Sequence, residues 1–411
     1  MVAKKSRLLT AAFPYLQIFS IFALTPPPQS FGKTSYNRLR WYLMAGYFCY
    51  AAAMLALVFT VTYINIMAIN EEVLDYNVAD FTRVMGSFQK GLISVTALAN
   101  QINMLFNYHR IGRIYEDVAD LEKDIEKASQ CYGGQYQRYS FRFRLLITVG
   151  VWLVLMVFLM PRFTYSAMGH YVSWPNKIIT EFVIVMLQLK AMEYCVFVLL
   201  IHELILHLRR TLLQLQEELE DCNQKDMLQA LCVALKRNQL LLGRVWKLQG
   251  EMCSYFTLPM MILFVYNGLT ILHVVNWAYI NTFLQNDCCR YDRFGTVLLL
   301  ILNILFVCLL SQRCINSYNS FPRILHQIRC LSSSSDFPLL TRGLREYSLQ
   351  LQHLKLLFTC GAFFDINLKC FGGMLVTIMG YIIILLQFKV QGIAETNYKS
   401  ARNISVSQIQ N

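Results

Sequence analysis

Over residues 294–312 the chain carries no charged side chain. Windows of about 20 predominantly apolar residues recur along it, the length a helix needs to cross a hydrocarbon core of roughly 30 Å. In lipid each backbone N–H and C=O must be satisfied within its own segment, so such windows fold as helices. The pattern predicts an all-α polytopic membrane protein with seven transmembrane helices. Charge usage agrees: 15% of the 411 residues are charged and 56% are hydrophobic, against about 25% charged in soluble domains. The mean hydropathy is +0.40.

The spans are expected near 41–68, 78–106, 145–161, 176–206, 255–283, 294–312 and 370–391. This divides the chain into an N-terminal segment (1–40), a six-helix region with helical extensions (41–312), an anchor segment (313–369), a seventh helix (370–391) and a tail (392–411). Residues 1–40 contain no acid, and Pro26-Pro27-Pro28 breaks any helix there. Pro14 and Gln17 interrupt the first apolar run, and no cleavage site follows it. Ser332 to Ser335 read as a flexible turn. No internal repeat is present.

Of the 37 Lys and Arg residues, 27 fall on the side that holds the N-terminus and seven on the other. Arg83, Lys90 and Lys190 lie inside spans. By the positive-inside rule the N-terminus is cytoplasmic and the C-terminus extracellular, the reverse of G-protein-coupled receptors. The acceptor pattern Asn403-Ile404-Ser405 in the tail agrees. The formal net charge of +12 is topological, since the basic residues flank spans, and implies no nucleic-acid partner.

The thirteen cysteines show no C-x-x-C spacing and no neighbouring His cluster, so no metal site is expected. Cys288 and Cys289 are adjacent in a short outer loop, as free thiols or in a link to another chain. No Ser/His/Asp arrangement, paired carboxylates or cofactor fingerprint appears, so neither an enzyme nor a cofactor is expected. A transporter lacks the repeat that builds alternating access.

At helical spacing Gly373, Thr377, Gly380, Ile384, Gln387 and Gln391 share one face of the last span, and Ile, Leu, Val and Met occupy the others. Such a face wants protein or water, through close helix packing or as a pore lining. Leu208, Leu212, Leu215 and Leu219 form one seam. Leu340, Leu344, Tyr347, Leu351, Leu354 and Phe358 form a second, on a helix leading into the last span. These seams suit subunit contact, packing within the chain, or a partner protein through which a receptor signals. Gly372-Gly373 is a candidate hinge. Lys190 and Glu193, three apart, read as a structural ion pair.

The outer halves of spans two to six hold Arg83, Phe88, Phe158, Phe163, Tyr165, Trp174, Phe182, Trp277 and Phe294, with His273 and Asn276 near the outer end of span five. Aromatics with a few polar groups make a small-molecule pocket, although Trp174 and Trp277 also suit an interfacial belt. Arg83 is costly within a membrane and needs a partner or a role.

The stretch Cys360-Gly361-Ala362-Phe363-Phe364-Asp365-Ile366-Asn367, followed by Gly380-Tyr381 and Gln387-Phe388 around an aliphatic run, resembles the insect gustatory receptor family, relatives of insect odorant receptors. Gly380 stands where that family usually has threonine, so a hydroxyl is lost there. The resemblance implies a tastant-gated cation channel of four subunits, a homotetramer or a heterotetramer with other gustatory receptor subunits. It places the protein in the plasma membrane of gustatory neurons, in their dendrites. The last span would line the pore, with Ile384 and Phe388 as an apolar gate and Gln387 as an amide ring. The ligand would bind in the outer half of each subunit.

Overall fold

The computed structural model describes residues 6–28, 38–75, 80–130, 138–168, 171–220, 225–283, 290–332, 338–361 and 363–409. Cys288, Cys289 and Ser333 to Ser335 lie outside them. The order is α1 (Arg7–Ile21), α2 (Arg38–Asp75), α3 (Asp80–Gln130), α4 (Arg138–Leu153), a π-helical segment (Val154–Leu159), α5 (Met160–Ala167), α6 (Trp174–Glu220), α7 (Lys225–Phe283), α8 (Arg290–Tyr318), α9 (Phe321–Ser332), α10 (Pro338–His353), a two-stranded hairpin of β1 (Thr359–Cys360) and β2 (Phe364–Asp365), and α11 (Leu368–Ile409).

Helix α6 is the axis of the bundle. Every residue from Val183 to Ile201 is buried, and α1, α2, α3, α4, α5, α7, α8 and α9 all pack on it. A helix that is apolar on all faces has to be enclosed. Its polar residues are paired: Lys190 Nζ lies 2.8 Å from Glu193 Oε2 with both side chains fully buried. The Lys190 ammonium also sits about 5 Å from the rings of Tyr255 and Phe256.

Among the described residues, six helices are long and apolar enough to span a membrane: Tyr42–Asp75, Phe141–Ser166, Trp174–Glu220, Met227–Ile280, Tyr291–Cys330 and Leu368–Gly392. The remaining expected span, 78–106, falls in α3, which is inverted relative to a soluble amphipathic helix. Thr82, Gln89, Ser94, Thr96, Asn100 and Asn103 are buried, while Phe81, Val84, Phe88, Val95, Ile102 and Leu105 are exposed. Its polar side pairs with neighbours, Ser94 with Thr62 of α2 at 2.8 Å and Gln89 with Thr270 of α7 at 3.0 Å. Polar residues turned inward and apolar ones outward suit lipid.

The N-terminal segment departs from the expectation of a stretch lying wholly outside the spans. Ser6 caps α1, accepting from the Leu9 N–H at 3.0 Å. Its hydroxyl binds Glu122 of α3, which also accepts from the Leu8 N–H at 3.1 Å. Leu8, Leu9, Ala12, Leu16 and Phe19 are buried, and beyond the helix the Leu24 carbonyl lies 3.5 Å from Lys190 Nζ. Thus α1 is part of the core.

Both leucine seams are spent inside the chain. Leu208, Leu212 and Leu215 are buried, as are Leu340, Leu344, Tyr347 and Leu351 of α10, which packs on α7 and α9; Leu219 and Leu354, at the seam ends, are half-buried. Tyr347 donates to Asn238 Oδ1 at 2.7 Å. The second seam does not continue as helix: α10 ends at His353, and the extended segment after it is held by side chains. Tyr318 donates to the Leu354 carbonyl (2.6 Å), Trp246 to that of Lys355 (3.0 Å) and Gln249 to that of Leu357 (2.6 Å). The hairpin follows, with Gly361 at φ +60°, a conformation that favours glycine. Phe364 packs on Phe264, ring centroids 5.4 Å apart, and Asn367 caps α11 through the Cys370 N–H at 2.9 Å. The break before the last helix is therefore this hairpin, and α11 runs continuously through Gly372 and Gly373. Asn403 falls within that helical run.

Candidate functional site

At the end of the bundle away from α9 and α10, six helices (α2, α3, α5, α6, α7 and α8) line a partly open cavity of about 120 Å³. On α7 it spans Tyr266 to Trp277, well beyond Asn238 along the helix and so roughly 40–60 Å from that residue, which binds Tyr347 of α10. The local sequence explains the walls. Pro161 lacks an N–H for the helical ladder, and the π-helical segment lies immediately before it, with Met160 and Thr164 lining the cavity beyond. Gly295 of α8 lets α5 approach: a Cβ there would lie 2.7–2.8 Å from the Phe163 ring. Gly86 of α3 does the same for α7, since a Cβ would lie 2.9 Å from His273 Cε1.

Most of the lining is apolar or aromatic, including Ile69, Met160, Ile184, Tyr266, Trp277 and Leu300. The charged members are Glu72, Lys90 and Arg293. Arg293 lies 3.6 Å from Glu72 and 5.2 Å above the Trp277 ring, and His273 meets that ring edge-on at 6.5 Å. Thr164 donates to Glu181, a buried carboxylate behind the wall. A concave apolar site with a few placed polar groups is what binding a small molecule requires.

Of the residues proposed from sequence, His273 and Trp277 line the cavity. Asn276 is buried beside it, donating to Thr82 at 3.2 Å, and Phe163 backs the wall through Gly295. The structure does not bring Arg83, Phe88, Phe158 or Phe182 there. Arg83 is exposed, Phe88 and Phe158 are 61% and 71% exposed on the outer face, and Phe182 meets the Phe22 ring at a tilt, centroids 5.4 Å apart. An outward aromatic on a membrane helix meets lipid, a distinction residue type alone does not make. Sequence reasoning missed Asn65, Glu72, Gln89, Lys90, Tyr266 and Arg293. Gln89 and Lys90 carried a usable signal, being polar residues within a span.

The proposed pore residues lie on an open helix. Thr377, Ile384, Gln387, Phe388 and Gln391 are exposed within the protomer and Gly380 is partly so, while the buried side of α11 centres on Ile378. A Cβ at Gly372, Gly373 or Gly380 would meet nothing within 4 Å. The contact with the bundle is elsewhere: Met374 Cε lies 3.1 Å from a Cβ position at Gly268 of α7, between the cavity residues Tyr266 and Thr270.

This multi-pass helical bundle with a partly open, mostly apolar cavity has the build of a membrane receptor, and the chain belongs to the 7tm chemosensory receptor family, matching it over residues 12–392. It is 68% identical over 403 residues to gustatory receptor 98b of Drosophila melanogaster, covering 98% of this chain and all of that one. To gustatory receptor 98c of the same fly it is 49% identical over 399 residues, covering 97% and 98%. In fold it resembles the insect olfactory receptor OR5 from Machilis hrabei, solved with eugenol and without it, at a TM-score of 0.62. Those structures are 13% and 12% identical and cover 91% of this chain and 98% of their own. The protein is a chemoreceptor and not an enzyme.

Proposed function

We propose that the chain is a subunit of a tastant-gated, non-selective cation channel in the plasma membrane of gustatory neurons, in their dendrites. Four copies, identical or mixed with other gustatory receptor subunits, surround a pore lined by α11, with the N-terminus cytoplasmic and the C-terminus outside. Thr377, Gly380, Gln387 and Gln391 face the ions, and Ile384 and Phe388 close the path by dewetting. The uncharged amide of Gln387 replaces part of a hydration shell without strong preference among cations.

The observation that carries this reading is the openness of the small-and-polar face of α11. Packing within the protomer leaves Gly380 and Gln387 without a cover, and lipid is a poor environment for them. A tetramer axis supplies water and protein at that face. The cavity is the ligand site in this reading, and Gly268 against Met374 couples it to the pore helix. Signalling through a docked partner is less well supported, because the seams that would dock it are buried in the chain's own core.

Reconstitution of the purified protein in planar bilayers tests the proposal. A tastant panel should evoke a cation current. Saturable ligand binding with no conductance would overturn the channel and leave the receptor.

A further inference from the structure

We propose that the cavity selects small amphipathic carboxylates, whose anionic group is held by Lys90. This rests on the cavity being the ligand site and adds the chemistry of what enters it.

The charges lining the cavity are Glu72 from α2, Lys90 from α3 and Arg293 from α8. Glu72 and Arg293 neutralise one another, and the guanidinium is further occupied by the face of Trp277. Lys90 has no such partner: among the described residues it makes no hydrogen bond and no ion pair. The carboxylates that act on it through space are Glu181 of α6 and Glu72. Glu181 is outside the lining: Thr164 donates to its Oε1, and its buried Oε2 makes no hydrogen bond to Lys90 or to any other described residue, while Glu72 is engaged by Arg293. From α7 the facing titratable group is His273, which contributes no negative charge. Among the described residues, the lining therefore holds one cation, Lys90, with no carboxylate in ion-pair contact.

An ammonium on a half-buried lysine of a membrane helix, with no carboxylate in ion-pair contact, is costly. A ligand carboxylate offers it charge-assisted hydrogen bonds. The rest of the lining sets the ligand's body. Ile69, Met160, Ile184, Leu300, Tyr266 and Trp277 cover a ring or short chain, whereas a polyol would bring hydroxyls against surfaces that cannot bind them. An amine would meet Lys90 as a like charge.

The test uses two matched sets of probes on the purified full-length protein: phenylacetate, phenylacetamide and phenethylamine, and hexanoate, hexanamide and hexylamine. Equilibrium binding is read by calorimetry on wild type, Lys90→Met and Lys90→Arg. In wild type a carboxylate should bind about tenfold or more tighter than its amide, the size of one charge-assisted bond, and the amines weakest. Lys90→Met should abolish that preference while sparing the amide, and Lys90→Arg should retain it. The wild-type ranking stands as a test even where a variant does not fold. If an amide or amine binds as tightly as its carboxylate, the charge assignment falls and the ligand cavity stands. If no probe binds, both fall.

Discussion

Asn303 of α8 donates through Nδ2 to Gln188 Oε1 of α6 at 2.8 Å, at the centre of the bundle. Gln188 donates in turn to Asn267 of α7 at 2.7 Å, and Trp152 of α4 donates to Asn303 at 2.9 Å. Four helices are thus tied by one buried network of amides. Truncating Gln188 to Ala leaves two amides unpaired, at a cost of about 1–3 kcal/mol each. The detergent-solubilised variant should show a clear fall in Tm by fluorescence-detected gel filtration. An unchanged Tm would mean that water replaces the side chain at no cost.

Gly295→Ala places a methyl group within 2.8 Å of the Phe163 ring. The ring must leave or α5 must move, an overpacking cost of about 1–3 kcal/mol. Phe163→Leu in the same chain should recover most of the lost Tm, since it removes the clash and not the helix contact.

Trp277→Ala and Gln387→Ala should separate two functions. Trp277 is a wall of the cavity, so its loss should raise the half-maximal tastant concentration by tenfold or more, the scale of a lost aromatic anchor of about 2 kcal/mol, with permeability ratios unchanged. Gln387→Ala should shift permeability ratios or block with little change in potency. Arg83→Ala, at an exposed position outside the cavity lining, should leave both near wild type. Recordings of dose response and reversal potential decide each case.

Gly268→Leu drives a side chain into the space of Met374 on α11. Ligand binding to the purified variant should stay within about threefold of wild type, while the maximal evoked current changes several-fold, the pattern of an altered conformational equilibrium rather than altered contacts. Equal changes in affinity and current would place Gly268 in the binding site instead.

Asp117, on the part of α3 beyond the expected span, has its carboxyl held above the ordinary carboxylate range by burial first and by the nearby Glu251 second. The folded state therefore binds this proton more tightly than the unfolded chain does. Ionised Asp117 costs stability at neutral pH, and the cost fades as pH falls through the raised pKa. Asp117→Asn should raise Tm at pH 7.5, and the gain should shrink toward zero near pH 4. A gain that persists in acid would point to packing rather than charge.

Much of the molecule was legible in the chain because membrane helices advertise themselves by length and hydropathy. The stretch from Gly361 to Asn367 proved to be a device of local geometry: a positive-φ glycine, a packed Phe364 and an Asn367 cap starting the last helix. Helix α3 was harder to read, since its polar and apolar residues are mixed in sequence and sort only when α2 and α7 cover one side. The pocket was the least legible part. Phe88 and Trp277 are alike in type and setting, yet one faces outward and the other lines the cavity.

The sequence by itself determined the helical membrane fold, the approximate position of six of the seven expected spans and the polar stripe from Gly373 to Gln391, because each depends on local spacing and on what lipid excludes. Only the tertiary structure decided that α1 is core, that most of both leucine seams is buried within one chain, and that Lys90 lines a cavity without an ion-pair contact among the described residues. Those facts depend on which faces of distant helices meet, and pairing across the bundle is set by the packing of all of them at once.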